Sequence, residues 1–172
     1  MSQIPEILTS FRVYNDGNDM IGVADVELPE LSFLSEKIKG AGIAGEVETP
    51  IIGHMESLGI KLSFRVATEK IIGLAAPKVH HLDIRGSIQM HDAGAGRKTT
   101  KPIKVIAKVM PKKTSLGKLE PGAKMDASGE YEASYLKILL NGKKMVEIDK
   151  YNYICFIDGT DYLEDIRSDL GL

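Results

Sequence analysis

His80-His81-Leu82-Asp83-Ile84-Arg85-Gly86-Ser87-Ile88-Gln89-Met90-His91-Asp92 alternates almost without a break. Leu82, Ile84, Gly86, Ile88 and Met90 fall on one face. His81, Asp83, Arg85, Ser87, Gln89 and His91 fall on the other. Successive side chains of a strand point to opposite sides, so this pattern predicts a half-wet strand with one apolar and one polar face. It runs through the glycine turn Ala93-Gly94-Ala95-Gly96 into Lys101–Met110, where Ile103, Val105, Ala107 and Val109 alternate again. The expected product is one hairpin whose arms, at ~3.3 Å per residue, reach roughly 35–40 Å. Strands of that length outrun the core of a small domain and suit a wall built by several subunits.

The rest of the chain is expected to be β as well. Val13-Tyr14, the turn Asn15-Asp16-Gly17-Asn18 and Met20–Leu28 read as a hairpin that Pro29 closes. Phe33–Lys39, Glu46–Ile52 (with Pro50 marking an edge) and Leu58–Val66 read as strands. Tyr131–Leu140, Asn141-Gly142 and Lys143–Asp149 form another hairpin, followed by Tyr153–Ile157. Two short helices are expected. Thr68–Ala76 carries a Thr68 cap and Pro77 as its stop. Thr160-Asp161 opens the second, with Glu164 in capping-box register and Tyr162, Leu163, Ile166 and Leu170 as its buried stripe. The sum is mainly β: an antiparallel sandwich or barrel with one or two short flanking helices, forming a single domain over residues 1–172.

Composition narrows the function classes. With 172 residues and 43% hydrophobic content the chain can bury a core. Its 22 basic and 24 acidic residues leave a formal charge of −2, which selects neither nucleic acid nor membrane. No apolar run approaches the ~20 residues of a spanning helix. The first residues lack the layout of a secretion signal, and the lone Cys155 excludes an internal disulfide, so a cytoplasmic site of synthesis is expected.

Four features imitate chemistry. Gly40-Ala41-Gly42-Ile43-Ala44-Gly45 matches G-x-G-x-x-G, but Glu46-Val47-Glu48-Thr49-Pro50 follows where the dinucleotide motif needs a helix N-terminus; a flexible loop over Lys39–Glu46 is expected instead. His80, His81, Asp83, His91 and Asp92 have the composition of metal ligands. However, His80 and His81 point to opposite faces, and His81 and His91 lie roughly 33 Å apart, so no metal site is expected. Cys155 sits in apolar Tyr153-Ile154-Cys155-Phe156-Ile157 and reads as packing; no nucleophile elbow frames any serine, so no catalytic site is expected. Lys98, Lys101, Lys104, Lys108, Lys112 and Lys113 form a basic band without interleaved aromatics. It is either a guarded sheet edge or a contact with an acidic neighbour, for which the acidic segment Asp161, Glu164, Asp165 and Asp169 is one candidate.

The two ends together carry a resemblance. Phe11-Arg12-Val13-Tyr14-Asn15-Asp16-Gly17, Gly22–Leu31 and the Gly40–Gly45 loop at one end, and Tyr135–Ile138, Asn141-Gly142-Lys143, Glu147-Ile148-Asp149, Asp158–Asp161 and Leu170-Gly171-Leu172 at the other, resemble in order the major tail tube proteins of contractile-tailed bacteriophages. The stretch from Lys78 to Met125 matches less closely. The resemblance implies a β-sandwich or barrel subunit with a flanking helix. Such subunits assemble into hexameric rings that stack as the inner tube of a contractile tail, a structural protein with no catalytic residue and no cofactor.

It implies as partners further copies of the chain and the tail sheath, tape-measure, baseplate and tail terminator proteins, with genomic DNA as non-specific passing cargo. Assembly would take place in the host cytoplasm and end in the virion tail. Within that frame His81, Asp83, Arg85, Ser87, Gln89 and His91 are expected at the channel. The loop Lys39, Gly40, Ala41, Gly42, Ile43, Ala44, Gly45 and Glu46 and the extended N-terminal arm 1–9 are expected across subunit or ring boundaries, and 160–172 forms the C-terminal helix. The alternatives are the tube of a headless contractile bacteriocin or secretion apparatus and, more remotely, a monomeric barrel with an apolar ligand inside.

Overall fold

The computed structural model describes residues 3–23 and 25–172; Met1, Ser2 and Ala24 lie outside the described residues. Twelve strands and two helices are described. The strands are β1 (Gln3–Asn15), β2 (Asp19–Ile21), β3 (Asp25–Glu27), β4 (Phe33–Lys39), β5 (Glu46–Met55), β6 (Gly59–Phe64), β7 (His80–Asp92), β8 (Arg97–Ser115), β9 (Ala127–Leu140), β10 (Lys143–Asp149), β11 (Ile154–Ile157) and β12 (Thr160–Asp161). The helices are α1 (Glu69–Gly73) and α2 (Glu164–Leu170). The fold is mainly antiparallel β, as the alternating patterns require.

The long hairpin is β7 and β8, in register from His80↔Val109 to Asp92↔Arg97. Asp92 is buried at its tip, where Oδ1 accepts the Gly94 and Ala95 N–H groups at 3.0 and 3.1 Å. That side-chain turn replaces the hydrogen bonds the reversing backbone gives up. The main sheet runs β12-β11-β10-β9-β8-β7-β1-β2. Along one edge β9 pairs first with β6, through Ala127–Phe64 to Glu132–Gly59, and then with β10. The sheet therefore divides beyond β9, and β6 with β3 folds over to make the second layer.

The core lies between these layers. Leu82 and Ile84 of β7, Val105, Ala107 and Val109 of β8, and Tyr131, Ala133 and Leu136 of β9 meet Ile60, Leu62 and Phe64 of β6 and Ile71 and Leu74 at α1 in one buried cluster. The period of two fills it from both layers, and α1 closes one end. His80 enters buried, its ring Nε2 donating to the Ala76 carbonyl at 3.0 Å, which ties β7 to the segment after α1.

Several local expectations are corrected. Met20–Leu28 is not one strand: β2 pairs with β1, and β3 crosses to β6. The strand expected over Glu46–Ile52 runs on to Met55, with Pro50 inside a strand that has one partner. Thr68 holds the N-cap position of α1 without a side-chain hydrogen bond. In α2 the cap is Leu163, also without one, and the capping box of Asp161 and Glu164 does not form. Thr160 and Asp161 pair with β11 instead. Of the stripe expected for α2, Leu163 is buried and Ile166 half-buried, whereas Tyr162 and Leu170 are 53% and 55% exposed. A seven-residue helix presents too few turns to bury four such side chains on one sheet.

Candidate assembly surface

The outer face of the main sheet is built by register. Tyr14 of β1 stands opposite Asp83, and Arg12 opposite Arg85. On β8, Lys108, Ile106 and Lys104 stand opposite His81, Asp83 and Arg85; Tyr135, Lys137 and Leu139 of β9 continue the same rows. His81 and Arg85 are exposed; Asp83, Ser87, Gln89 and His91 are half-buried. All six lie on the face opposite Leu82, Ile84 and Met90, which are buried; Ile88 is only half-buried. The alternation loses contrast past Gly86 because the tip of the hairpin extends beyond the second layer.

Polar contacts hold this face. The Arg85 guanidinium donates to Asp83 Oδ2 at 2.7 and 3.0 Å, stacks 4.5 Å from the centre of the Tyr14 ring, and is pushed above its ordinary pKa first by that carboxylate. Lys104 reaches the same oxygen at 3.6 Å. Gln89 donates to Glu6 at 2.8 Å, and Lys98 also bonds Glu6, whose carboxyl is held below its ordinary value by these two partners. Farther along, Glu147 accepts from Lys144 at 2.7 Å and from the Tyr135 hydroxyl at 3.0 Å. Lys144 first, then Tyr135, keep that carboxyl low against the opposing effect of burial. The role of Glu6 has no signal in the sequence. The bulges between Pro5 and Ile7 and between Leu8 and Ser10 break the alternation that would have marked its strand.

Among the described residues the backbone edges of β1 and β8 are each open over part of their length. β1 pairs with β7 along its whole length, but β2 covers its other edge only at Val13–Asn15, so Gln3–Arg12 is open on that side. Similarly β8 is paired with β9 only from Ile103 onward, apart from the Asn141 N–H on the Pro102 carbonyl, which leaves the edge of Arg97–Lys101 open. The segment expected as an arm at 1–9 is, over residues 3–9, the exposed outer half of β1, with Ile4, Ile7 and Leu8 47–59% exposed.

β4 and β5 form a separate two-stranded sheet. Every β4 residue is exposed, apolar Leu34 and Ile38 included, and so are Val47, Ile51 and Ile52 of β5. Its tip is the loop Lys39–Glu46, where Gly40, Gly42 and Gly45 take φ of +135, +91 and +114°, conformations that L side chains rarely adopt. A lone hairpin is marginal in water, and this one is anchored only at its root, where Phe33, Pro50, Ile51, Ile52, Gly53, Ile157 and Tyr162 line an apolar hollow.

Charge chemistry elsewhere is structural. Asp161 Oδ1 accepts the Cys155 and Leu163 N–H groups at 3.2 and 3.1 Å, and Oδ2 pairs with Arg167 at 2.7 Å. Cys155 is buried, and burial followed by the Asp161 charge pushes its thiol up, away from nucleophilic use. Among the described residues no group of three or more His, Cys, Asp and Glu comes together to hold a metal, and no helix is long and apolar enough to cross a membrane.

Residues 5–171 match the family described as phage tail tube protein FII. The tail tube protein of Escherichia phage P2 is 29% identical over 174 residues, spanning 98% of this chain and 99% of that one. Among solved structures, a chain of the PVC sheath/tube terminator of an extracellular contractile injection system superposes with a TM-score of 0.56 at 14% identity, over 78% of this chain and 96% of that one. A chain of the 6-fold symmetrised baseplate of the anti-feeding prophage gives 0.53 at 12%, over 81% and 97%. A chain of the PVC sheath–tube complex gives 0.50 at 16%, over 75% and 87%. At these identities the structural likeness is one of fold.

Proposed function

The chain belongs to the phage tail tube protein FII family, and we propose how its surfaces close the tube. It is a structural subunit of the inner tube of a contractile tail. Copies join their main sheets edge to edge in hexameric rings, and the rings stack into a hollow tube. The observation that carries this reading is the pair of open edges on β1 and β8, at Gln3–Arg12 and Arg97–Lys101, on strands too long for the subunit's own core. Unpaired edges of that length invite association unless neighbours cover them, and closing the sheet on itself removes them.

The wet face then turns inward: His81, Asp83, Arg85, Ser87, Gln89 and His91 line the channel or its rim. The β4–β5 loop Lys39–Glu46 and the outer half of β1 dock across subunit or ring boundaries, where the exposed apolar side chains of the hairpin find cover. The sheath surrounds the tube, baseplate and terminator proteins cap its ends, and the tape-measure protein and then genomic DNA occupy its bore. Assembly takes place in the host cytoplasm, and the chain performs no catalysis. The contractile injection systems among the structural neighbours favour one second reading, a tube that serves such an apparatus instead of a capsid. Capsid genes beside this one decide for the phage.

Electron microscopy of the concentrated protein checks the first step; tubes are expected, and lone particles whose edges stay unpaired would refute it. The facing is checked by thiol labelling of Asp83→Cys, Ser87→Cys and Ile84→Cys in assembled tubes, the native Cys155 being buried. Positions 83 and 87 are expected to react and 84 to stay protected; the opposite pattern reverses the assignment.

A further inference from the structure

The register of the wet face sets like charges side by side. Arg12 stands directly opposite Arg85, and Arg85 directly opposite Lys104, so three adjacent strands present three cations in one row. Like charges in that position destabilise a sheet, and the contacts of Arg85 and Lys104 with Asp83 set one carboxylate against three cations. The carboxylates nearby do not neutralise the row. Asp83 Oδ2 is shared between Arg85 and Lys104 at 2.7 and 3.6 Å. Glu147 is engaged by Lys144 and Tyr135, and Asp149 by the N–H groups of its own turn and the Asn152 amide. Among the described residues Arg12 has no anionic partner, and Lys108 spends its charge on the Tyr135 ring, 5.2 Å away.

We propose that the Arg12–Arg85–Lys104 row is a contact site for the phosphate backbone of duplex DNA, so that the cargo is held against this face as well as passing it. The assignment rests on the wet face being the channel face. The row spans two strand spacings, roughly 10 Å, with the forked guanidinium of Arg12 at one end and the ammonium of Lys104 at the other. Base stacking is not available: the Tyr14, Tyr135 and Phe156 rings are each covered by a cation, Arg85, Lys108 and Lys144. A protein partner would want an aromatic or aliphatic anchor at the centre of its contact, and Ile106 and Leu139 beside the row are half-buried. A regular polyanion needs only the cations.

The test is fluorescence anisotropy of a random-sequence 20-base-pair duplex with the dispersed full-length chain over a range of salt. Arg12→Gln/Lys104→Gln leaves the Asp83–Arg85 pair intact. It is expected to weaken binding about tenfold at low salt and to lower the salt slope by roughly two, about one for each cation removed. Lys78→Gln/Lys124→Gln, which lies off this face, is expected to change neither. Equal effects of the two double variants, or no effect of the first, overturn the proposal. So does poly-glutamate of matched charge binding more tightly than the duplex, which would reassign the face to an acidic protein. Tube formation by each variant is scored separately by electron microscopy. A wild-type chain that never forms tubes removes the channel reading, whereas normal tubes with unchanged duplex binding remove this one alone.

Discussion

Asp161 shows how one side chain can carry a local structure. Burial alone pushes its carboxyl up, but the Arg167 guanidinium and the N–H groups of Leu163 and Cys155 outweigh that and hold it below the ordinary carboxylate value. A folded-state pKa below the unfolded one stabilises the fold at neutral pH. That contribution is lost as pH falls below the unfolded value of about 3.9 and through the folded one. Asp161→Asn keeps the shape and removes the charge, so it is expected to cost roughly 1.5–3 kcal/mol at pH 7. Thermal unfolding of both proteins at pH 7, 5 and 3 checks it: the gap in midpoint is expected to be full at 7 and to shrink at 3. A gap independent of pH would show that the ion pair contributes nothing. The spacing of Asp161 to Glu164 fits a helix cap equally well. What decides otherwise is a partner with no sequence signature, the Cys155 N–H of the neighbouring strand.

The hairpin of β4 and β5 is an element without a layer behind it. Its strands pair from Phe33↔Met55 to Lys39↔Glu46, yet all of β4 faces solvent and among the described residues no second sheet covers it. Isolated hairpins of this kind open readily, so their amides exchange early. In the dispersed subunit the amides of residues 34–51 are expected to exchange with solvent far faster than those of β7 to β9, and to become protected when tubes form. Protection already complete in the dispersed chain would mean that the hairpin needs no neighbour. Replacing Gly40–Gly45 with an Asn-Gly turn joins paired Lys39 and Glu46 by the shortest favourable loop. That variant is expected to keep the thermal midpoint of the subunit and to stop tube growth; tubes of normal length would show that the loop is not a stacking contact. The loop's glycines are visible in the sequence, and so is the failure of the nucleotide motif, because the residues after Gly45 are strand formers with two carboxylates.

On the scale of the whole molecule the surfaces left open exceed those a solitary protein tolerates. They are the open edges on β1 and β8, the bare hairpin, and exposed Tyr162 before α2 and Leu170 in its last turn. Burying them between copies links folding to assembly, since a partner that binds only the native state raises its apparent stability. The thermal midpoint is therefore expected to be higher in assembled tubes than in dispersed subunits and to rise with protein concentration wherever the subunits associate. Identical midpoints would argue against interfaces that recruit these surfaces. The division between an acidic α2 and a cationic sheet face gives the subunit two electrostatically distinct sides although its formal charge is only −2.

The alternation of β7 and β8 and the turn at Asn141-Gly142 settle the β class, the long hairpin and its inner face from the chain alone. Periodicity is a local property, and each strand carries it whether or not its partner is known. The order of the strands is not legible in that way. That β9 divides its edge between β6 and β10, that β3 leaves β2 for another layer, and that residues 3–9 belong to a bulged strand all depend on contacts between segments far apart in the chain. The same holds for the candidate site. The wet residues of β7 are visible in one strand, but the meeting of Arg12, Arg85 and Lys104 exists only in the register between strands, which hydrogen bonds across three separate segments fix and no single segment encodes.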